Sequence, residues 1–262
     1  MKNLLIGFII GIFIVFSILF ISAFYFEKIA IISINGEISP YSSMFSETTT
    51  PSEISSLIKI AEEDPMIKAV IFEIDSPGGS VVASREMAAA IKRMKKPTIC
   101  WLGDIAASGA YWVASACDKI VADPLTLTGS IGVTASYLEF SKLFEKYGVT
   151  YERIVSGEGK DIGTPFRNLT KEERAKIEYI VNETFLYFLT DIAKNRNLTK
   201  EQIEKISSGD VFLAKDAVDL GLIDYLGTIE DAKELAKNMT KSIKPEFVSL
   251  KKGRLSLLDL LG

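Results

Sequence analysis

Between Leu4 and Phe26 the chain runs for 23 residues, LLIGFIIGIFIVFSILFISAFYF, without a charge. At ~1.5 Å per residue a helix of that length spans roughly 34 Å, enough for a hydrocarbon core of about 30 Å. A cleaved leader has an apolar stretch of only about 7 to 15 residues and a small-x-small site after it, whereas this run is longer and ends in Phe-Tyr-Phe. The expectation is a retained anchor within residues 1–27 that ties the protein to the lipid bilayer. The amino terminus and Lys2 precede the run, which favours a cytoplasmic N-terminus. Residues from about Lys28 onward then lie outside the cytoplasm, on a single-pass protein of the cell membrane.

The 262 residues include 34 Asp and Glu, 30 Lys and Arg, and no histidine. Lacking histidine, the chain has no Ser-His-Asp or Cys-His arrangement, no His-ligated zinc and no imidazole base. Acid-base chemistry falls to carboxylates, Lys, Tyr, Cys or the backbone. A formal net charge of -4 argues against nucleic acid as the main partner. Cys100 and Cys117 are too few for a disulfide framework or a four-thiolate metal site. Each lies in an apolar stretch and is read as an ordinary buried small residue, with a disulfide as the alternative.

The remainder reads as one globular domain, 28–239, with a C-terminal tail, 240–262. KIAIISINGEI from Lys28 is a strand turning at Asn35-Gly36, and Pro51 opens a helix to about Ala61. AVIFEID (Ala69 to Asp75) is a strand that runs into Pro77-Gly78-Gly79, with a helix from about Val81 to Met94 behind it. Strand, glycine turn and helix begin an α/β layer. PTICWLG from Pro97 to Gly103 is a third strand, and AASGAYWVASA from Ala106 to Ala116 a buried helix. KIVAD and YERIVS read as short strands around a GSIGV segment and a helix from about Leu138 to Lys146. Thr170 and Glu173 form a capping box, and Ile177, Ile180, Val181, Phe185, Phe188, Leu189 and Ile192 then recur at helical spacing to about Asn195. Thr199 with Gln202 repeats the box, GLIDYLG suggests an edge strand, and Ile229 to Met239 a last helix. From Thr240 onward five basic and two acidic residues surround scattered leucines, a pattern read as a flexible tail, with a partner helix as the alternative.

With histidine absent, covalent catalysis needs a Ser, Thr or Cys activated by a Lys. Ser108 in GDIAASGAYW starts a helix of small side chains, where backbone N–H groups can receive an oxyanion. Taken alone, a serine at such a place is more often a helix cap. The paired glycines of Asp75-Ser76-Pro77-Gly78-Gly79 can turn an N–H into a cleft as part of an oxyanion hole, or serve packing only. Lys160 stands in SGEGKDIGTP, a glycine-rich segment, and in isolation reads as one more solvated lysine.

The three pieces occur together in a known arrangement. The chain resembles the signal peptide peptidase A family of membrane-bound Ser-Lys serine proteases, from about Ile29 to Met239 and in its N-terminal anchor. The family's A-A-S-G-x-Y is matched by Ala106 to Tyr111, its S-G-x-x-K-D by Ser156 to Asp161, and its S-P-G-G by Ser76 to Gly79. Its L-T-G-S-I-G is matched from Leu127 to Gly132. The resemblance implies an α/β, Clp protease/crotonase-like ββα superhelical fold behind one transmembrane helix. It implies Ser108 as nucleophile, Lys160 as general base 52 residues later, Ser130 as the group orienting that lysine, and an oxyanion hole from the backbone of Gly78, Gly79 and Gly109. Ala110 stands where a second glycine is frequent after the nucleophile. An ordinary lysine amine titrates near pH ~10.4, and bringing it to about 8 requires a cost to the charged form of about 3 kcal/mol, which burial supplies. No cofactor or metal is called for. Implied partners are extended apolar peptides, chiefly cleaved signal peptides, and further copies of the chain, with active sites near or across protomer interfaces. Membrane proteases acting on stomatin-like partners have a closer Ser-Lys spacing and fit less well. A membrane-anchored scaffold or chaperone that lost turnover is the non-enzyme alternative. A crotonase-like thioester enzyme would leave Ser108, Ser130 and Lys160 unexplained.

Overall fold

The structure is a computed structural model that describes residues 7–16, 27–43 and 45–251. Residues 7–16 form an exposed helix, α1. Among the described residues no helix is long and apolar enough to cross a membrane. The expected span from Leu4 to Phe26 falls otherwise on residues 4–6 and 17–26, outside the described ones.

The first strand, β1 (Lys28–Asn35), is followed by a small side pair, β2 (Glu37–Ile38) with β3 (Thr48–Thr49), and by helix α2 (Pro51–Glu63). Thr50 caps α2 by accepting from the Glu53 N–H at 3.3 Å, and Pro51 occupies the first turn, where no N–H is needed. Then come β4 (Ile67–Ser76), α3 (Val81–Lys92), β5 (Thr98–Ala107), α4 (Gly109–Ser115), β6 (Lys119–Ala122) and β7 (Leu127–Gly129). After α5 (Ser141–Lys146) and the long α6 (Lys171–Arg196) the chain makes α7 (Lys200–Ile206), β8 (Val211–Leu213), α8 (Ala214–Ala217), β9 (Tyr225–Leu226), α9 (Ile229–Thr240) and β10 (Glu246–Ser249).

The main sheet runs β10-β1-β4-β5-β6-β9 with every neighbour parallel, while β7 joins β5 in parallel and pairs antiparallel with β8. Parallel strands are covered on both faces, which explains why IKAVIFEI is nearly continuous in apolar residues. The period of two divides them. Ala30, Ile32 and Ile34 of β1, Val70, Phe72 and Ile74 of β4, and Cys100 and Leu102 of β5 face the larger core with α2, α3 and α4. Ile29, Ala69, Ile71, Ile99 and Val121 face the smaller one, closed by Ala232 and Ala236 of α9. Each fully buried isoleucine contributes roughly 1.5–3 kcal/mol relative to exposure, so the sheet centre is the strongest part of the molecule.

The expected α/β architecture is present, with corrections of detail. Ala106 and Ala107 end β5 instead of beginning a helix, because they pair with Thr128 and Gly129 of β7. YERIVS forms no strand: Ile154 is 94% exposed, and the edge of β6 is already occupied by β9. The helix expected from Leu138 starts only at Ser141. In the segment read as a tail, Glu246–Ser249 is the sheet edge β10, paired with Lys28–Ile31 of β1; residues 252–262 lie outside the described ones. Cys100 and Cys117, read as separate buried residues, form a disulfide with Cα atoms 6.0 Å apart.

Candidate active site

β5 and β7 end side by side. Their register pairs Ala107 with Gly129, so the next residues, Ser108 and Ser130, leave the sheet as neighbours. Both adopt positive φ, 53° at Ser108 and 50° at Ser130, conformations that cost a non-glycine residue on the order of 1–3 kcal/mol and cluster at functional sites. Around Ser108 the strain is held from both sides: its N–H donates to the Gly129 carbonyl at 2.8 Å, and its own carbonyl accepts from Trp112 N–H at 3.0 Å as α4 begins. Ser130 N–H donates to the Asp210 carbonyl at 2.7 Å. Beneath them Thr128 Oγ1 donates to the Ala106 carbonyl at 2.8 Å and Thr126 Oγ1 to the Gly103 carbonyl at 2.6 Å, tying β7 to β5 from its buried side. A strand that turns sharply into a helix at a strained serine lifts the hydroxyl clear of the sheet.

The glycine turn after β4 lies against this elbow. Ile38 N–H donates to Gly78 C=O, and Ser80 N–H to Ile38 C=O, both at 2.8 Å. These two bonds form a parallel bridge centred on Gly79, so the Gly79 N–H points the other way, toward α4. A Cβ on Gly78 would stand 2.6 Å from the Gly109 nitrogen and 3.1 Å from Ser108 Cβ. One on Gly109 would run into Ser84 Oγ and lie 3.4 Å from the Gly79 nitrogen. Glycine at these positions is therefore a requirement of close approach. It leaves the N–H groups of Gly79 and Gly109 beside one hydroxyl, the donor pair an oxyanion needs. The α4 helix is two turns long, so these individual N–H groups, more than a helix dipole, supply the field.

Ser108, Ser130, Gly79 and Gly109 line one cleft of about 570 Å³, with Trp112 and Phe188 on its apolar wall. Phe188 stacks on Trp112 at 4.6 Å, and Trp112 Nε1 donates to Asp191 Oδ2 at 2.6 Å. α6 thus closes a side of the cleft. Its apolar stripe gives no sign of that in sequence, where Phe188 is indistinguishable from a core residue. Tyr111, next to the elbow, donates to the Leu222 carbonyl at 2.8 Å, and burial pushes its phenol well above the ordinary range. That removes it as an acid or base.

Lys160 is not part of this cleft. It is exposed, in a tight turn closed by Lys160 N–H to Gly157 C=O at 3.0 Å. Its neighbour Asp161 is engaged elsewhere, by Arg153 and Arg167, which hold its carboxyl well below the usual range. Within one chain, then, the structure brings together Ser108, Ser130, Gly79 and Gly109 and leaves Lys160 apart; Gly78, expected as a further oxyanion donor, packs against the elbow but turns its own N–H to Ser76 Oγ at 3.1 Å. Among the described residues no cluster of three or more His, Cys, Asp or Glu side chains is arranged to hold a metal ion.

Solved structures share the fold. The membrane-bound stomatin-specific protease 1510-N, in complex with a substrate peptide, superimposes with a TM-score of 0.58 at 19% identity, over 90% of this chain and 95% of that one. The Pyrococcus horikoshii 1510-N protease, specific for a stomatin homologue, gives 0.54 at 18% identity, over 90% and 96%. In sequence, a candidate protease of Methanocaldococcus jannaschii is 35% identical over 212 residues, 79% of this chain and 68% of that one. A candidate signal peptide peptidase SppA of Enterococcus faecium is 35% identical over 221 residues, 82% of this chain and 64% of that one. The chloroplastic serine protease SPPA of Arabidopsis thaliana is 35% identical over 250 residues, 90% of this chain but 36% of its own length. The model of peptidase family S49 matches residues 90–244, which include the serine elbow and the Lys160 segment. With more than half of the chain matched by that model and relatives 35% identical along most of it, this chain is a serine protease of peptidase family S49.

Proposed function

We propose that the protein is a membrane-anchored endopeptidase that degrades cleaved signal peptides and similar apolar peptides through a Ser108–Lys160 dyad. The observation that carries the reading is the strained Ser108 elbow facing the N–H groups of Gly79 and Gly109. Ser108 Oγ attacks the peptide carbonyl carbon as neutral Lys160 Nζ accepts its proton, and the carbonyl oxygen takes negative charge against the two N–H groups. Collapse of the tetrahedral species breaks the C–N bond, and the Lys160 ammonium returns its proton to the leaving amine. Water, deprotonated by the same amine, then releases the acyl group. Ser130, beside Ser108, orients the lysine. The aromatic wall of Trp112 and Phe188 favours apolar side chains at the cleavage site.

Two observations bear on the setting. The exposed Lys160, apart from its own chain's cleft, supports a site completed by the lysine of an adjacent subunit. A disulfide between Cys100 and Cys117 supports an oxidising, extracytoplasmic location, in keeping with the charge-free run that precedes the domain.

The test is cleavage of a fluorogenic apolar peptide by the full chain in detergent from pH 6 to 10, beside Ser108→Ala and Lys160→Ala proteins verified as folded. Activity that rises with pH and disappears in both variants is the expected result. Equal cleavage by all three proteins sinks the dyad. Verified mixed oligomers of the two inactive variants should recover part of the activity, and none recovered would defeat sharing across subunits.

A further inference from the structure

Outside the cleft, a linked set of charged groups surrounds the residues flanking Lys160. The Asp161 carboxylate accepts four bonds from two guanidinium forks. Arg153 donates from Nε and Nη2, both at 2.9 Å, and Arg167 from Nε at 3.0 Å and Nη2 at 2.9 Å. Arg153 reaches the other side of the lysine as well, donating from Nη2 to the Glu158 carbonyl at 2.7 Å and from Nη1 to Glu158 Oε2 at 3.0 Å. Arg167 grips Glu173 through a second fork, at 2.6 and 2.8 Å, and Glu173 is the capping residue that accepts from Thr170 N–H at 2.9 Å where α6 begins. The turn that carries Lys160 is thus bound on both flanks to one arginine, and through Asp161 and Arg167 to the end of a 26-residue helix.

Most of this network is withdrawn from water: the side chains of Asp161, Arg167 and Glu173 are 14%, 19% and 9% exposed. Ion pairs on an open surface contribute little, but bidentate, partly buried ones impose geometry. Among the described residues Lys160 has no ionic partner, although Asp161 follows it directly. We infer that Asp161, with Arg153 and Arg167, is a positioning unit for Lys160: it fixes where the amine projects and keeps the adjacent carboxylate from pairing with it. The inference rests on the reading of Lys160 as the general base.

The sign of a pH effect separates positioning from simple charge. The groups around the turn are Arg153, Glu158, Asp161 and Arg167 from its own segment, and Glu172, Glu173 and Lys176 from α6. Asp161→Asn removes a negative charge and leaves two arginines less compensated, so through-space electrostatics alone moves the lysine's titration to lower pH. Loss of positioning leaves the amine out in water, where the charged form of an amine is favoured, and moves the activity profile to higher pH.

The experiment measures pH profiles of kcat and KM for the full chain in detergent, with assembly and thermal unfolding followed in parallel. The variants are Lys160→Ala, Asp161→Asn, Arg153→Lys and Arg167→Lys, the last two keeping charge but losing a fork. We expect Lys160→Ala to be inactive. Asp161→Asn should lose about tenfold to a hundredfold in kcat with KM within about twofold, the size of loss a misplaced catalytic group brings. Its profile should move to higher pH by about one unit, and the two Lys variants should move the same way by less. Activity in Lys160→Ala defeats the base assignment and this inference with it. An inactive Lys160→Ala beside profiles in the other variants that match wild type, or move to lower pH, overturns the positioning role alone. Should Asp161→Asn fail to fold, the two Arg→Lys proteins decide by the same criterion.

Discussion

From Thr98 to Ala122 the chain is nearly all core, with Gly109 to Cys117 buried without a break; from Gly132 to Thr170 no residue is fully buried. The first stretch carries Ser108 and the second Lys160. The serine side is held by strand register, glycine contacts and apolar packing, none of which depends on pH in the ordinary range. The lysine side is an excursion of small aromatic contacts, such as Phe144 on Phe166 at 5.5 Å, and of the arginine–carboxylate chain from Glu158 to Glu173. One half of the proposed dyad is thus rigid by construction, and the other is delivered by a part whose geometry is set by charge.

A pair of glycines gives the largest contrast. A Cβ at Gly79 would collide with the Ile38 carbonyl, while one at Gly159 would meet nothing within 4 Å. Gly79→Ala should cost about a hundredfold or more in kcat, on the scale of losing one oxyanion donor, with a lower Tm; Gly159→Ala should stay within about twofold. Equal losses in the two variants would break the contrast. Next in size is the disulfide, which closes a loop of sequence separation 17 around the serine elbow. Its reduction should lower stability by about 3 kcal/mol on chain-entropy grounds, read as a Tm drop in thermal unfolding with and without a phosphine reductant. An unchanged Tm would show that apolar packing alone suffices there.

Acid should act on the lysine side first. Hydrogen bonds from Arg167 and the Thr170 N–H bring Glu173 down to about 2, and Arg167 and Arg153 hold Asp161 well below the ordinary carboxylate range. Groups with depressed values stabilise the fold fully above the ordinary carboxylate range, and that contribution is lost as pH falls from about 4 through the folded value. Limited pepsin cleavage between pH 5 and 2 should therefore open bonds within residues 150–175 before any within 98–122. Simultaneous opening would make the two regions one cooperative unit. The smallest effect is expected at an exposed pair on the same helix, Arg174 with Glu178 at 3.7 Å. Arg174→Ala should change stability by less than about 0.5 kcal/mol, and a larger loss would mean that the whole charged face of α6 acts as a network.

The fold was legible in sequence wherever one element's own pattern sufficed: the apolar run of β4, the glycines after it, and the capping box at Thr170 that opens α6. What eluded a sequence reading depends on partners far along the chain. The alternation in YERIVS is that of a strand, but strands need an edge, and Tyr225–Leu226 holds the one beside β6. Glu246–Ser249 lies among lysines and looks like a tail until β1 offers its free side. Cys100 and Cys117 meet because the α4 helix returns the chain beside the strand that precedes it. At the site, Ser108, Ser130 and the glycines were marked by motif. The aromatic wall from α6 and the double arginine grip on Asp161 were not, since neither Phe188 nor Arg153 and Arg167 differ in sequence from a core phenylalanine or solvated arginines.

The parallel order of the sheet sets the two ends of β1 at opposite levels of the domain. The charge-free run enters the domain at Lys28, whereas the Ser108 elbow stands at the opposite, C-terminal ends of the strands. Eight residues at roughly 3.3 Å each separate those levels by about 26 Å. The serine elbow therefore keeps a fixed distance from Lys28, set by the buried strands between them and not by any loop.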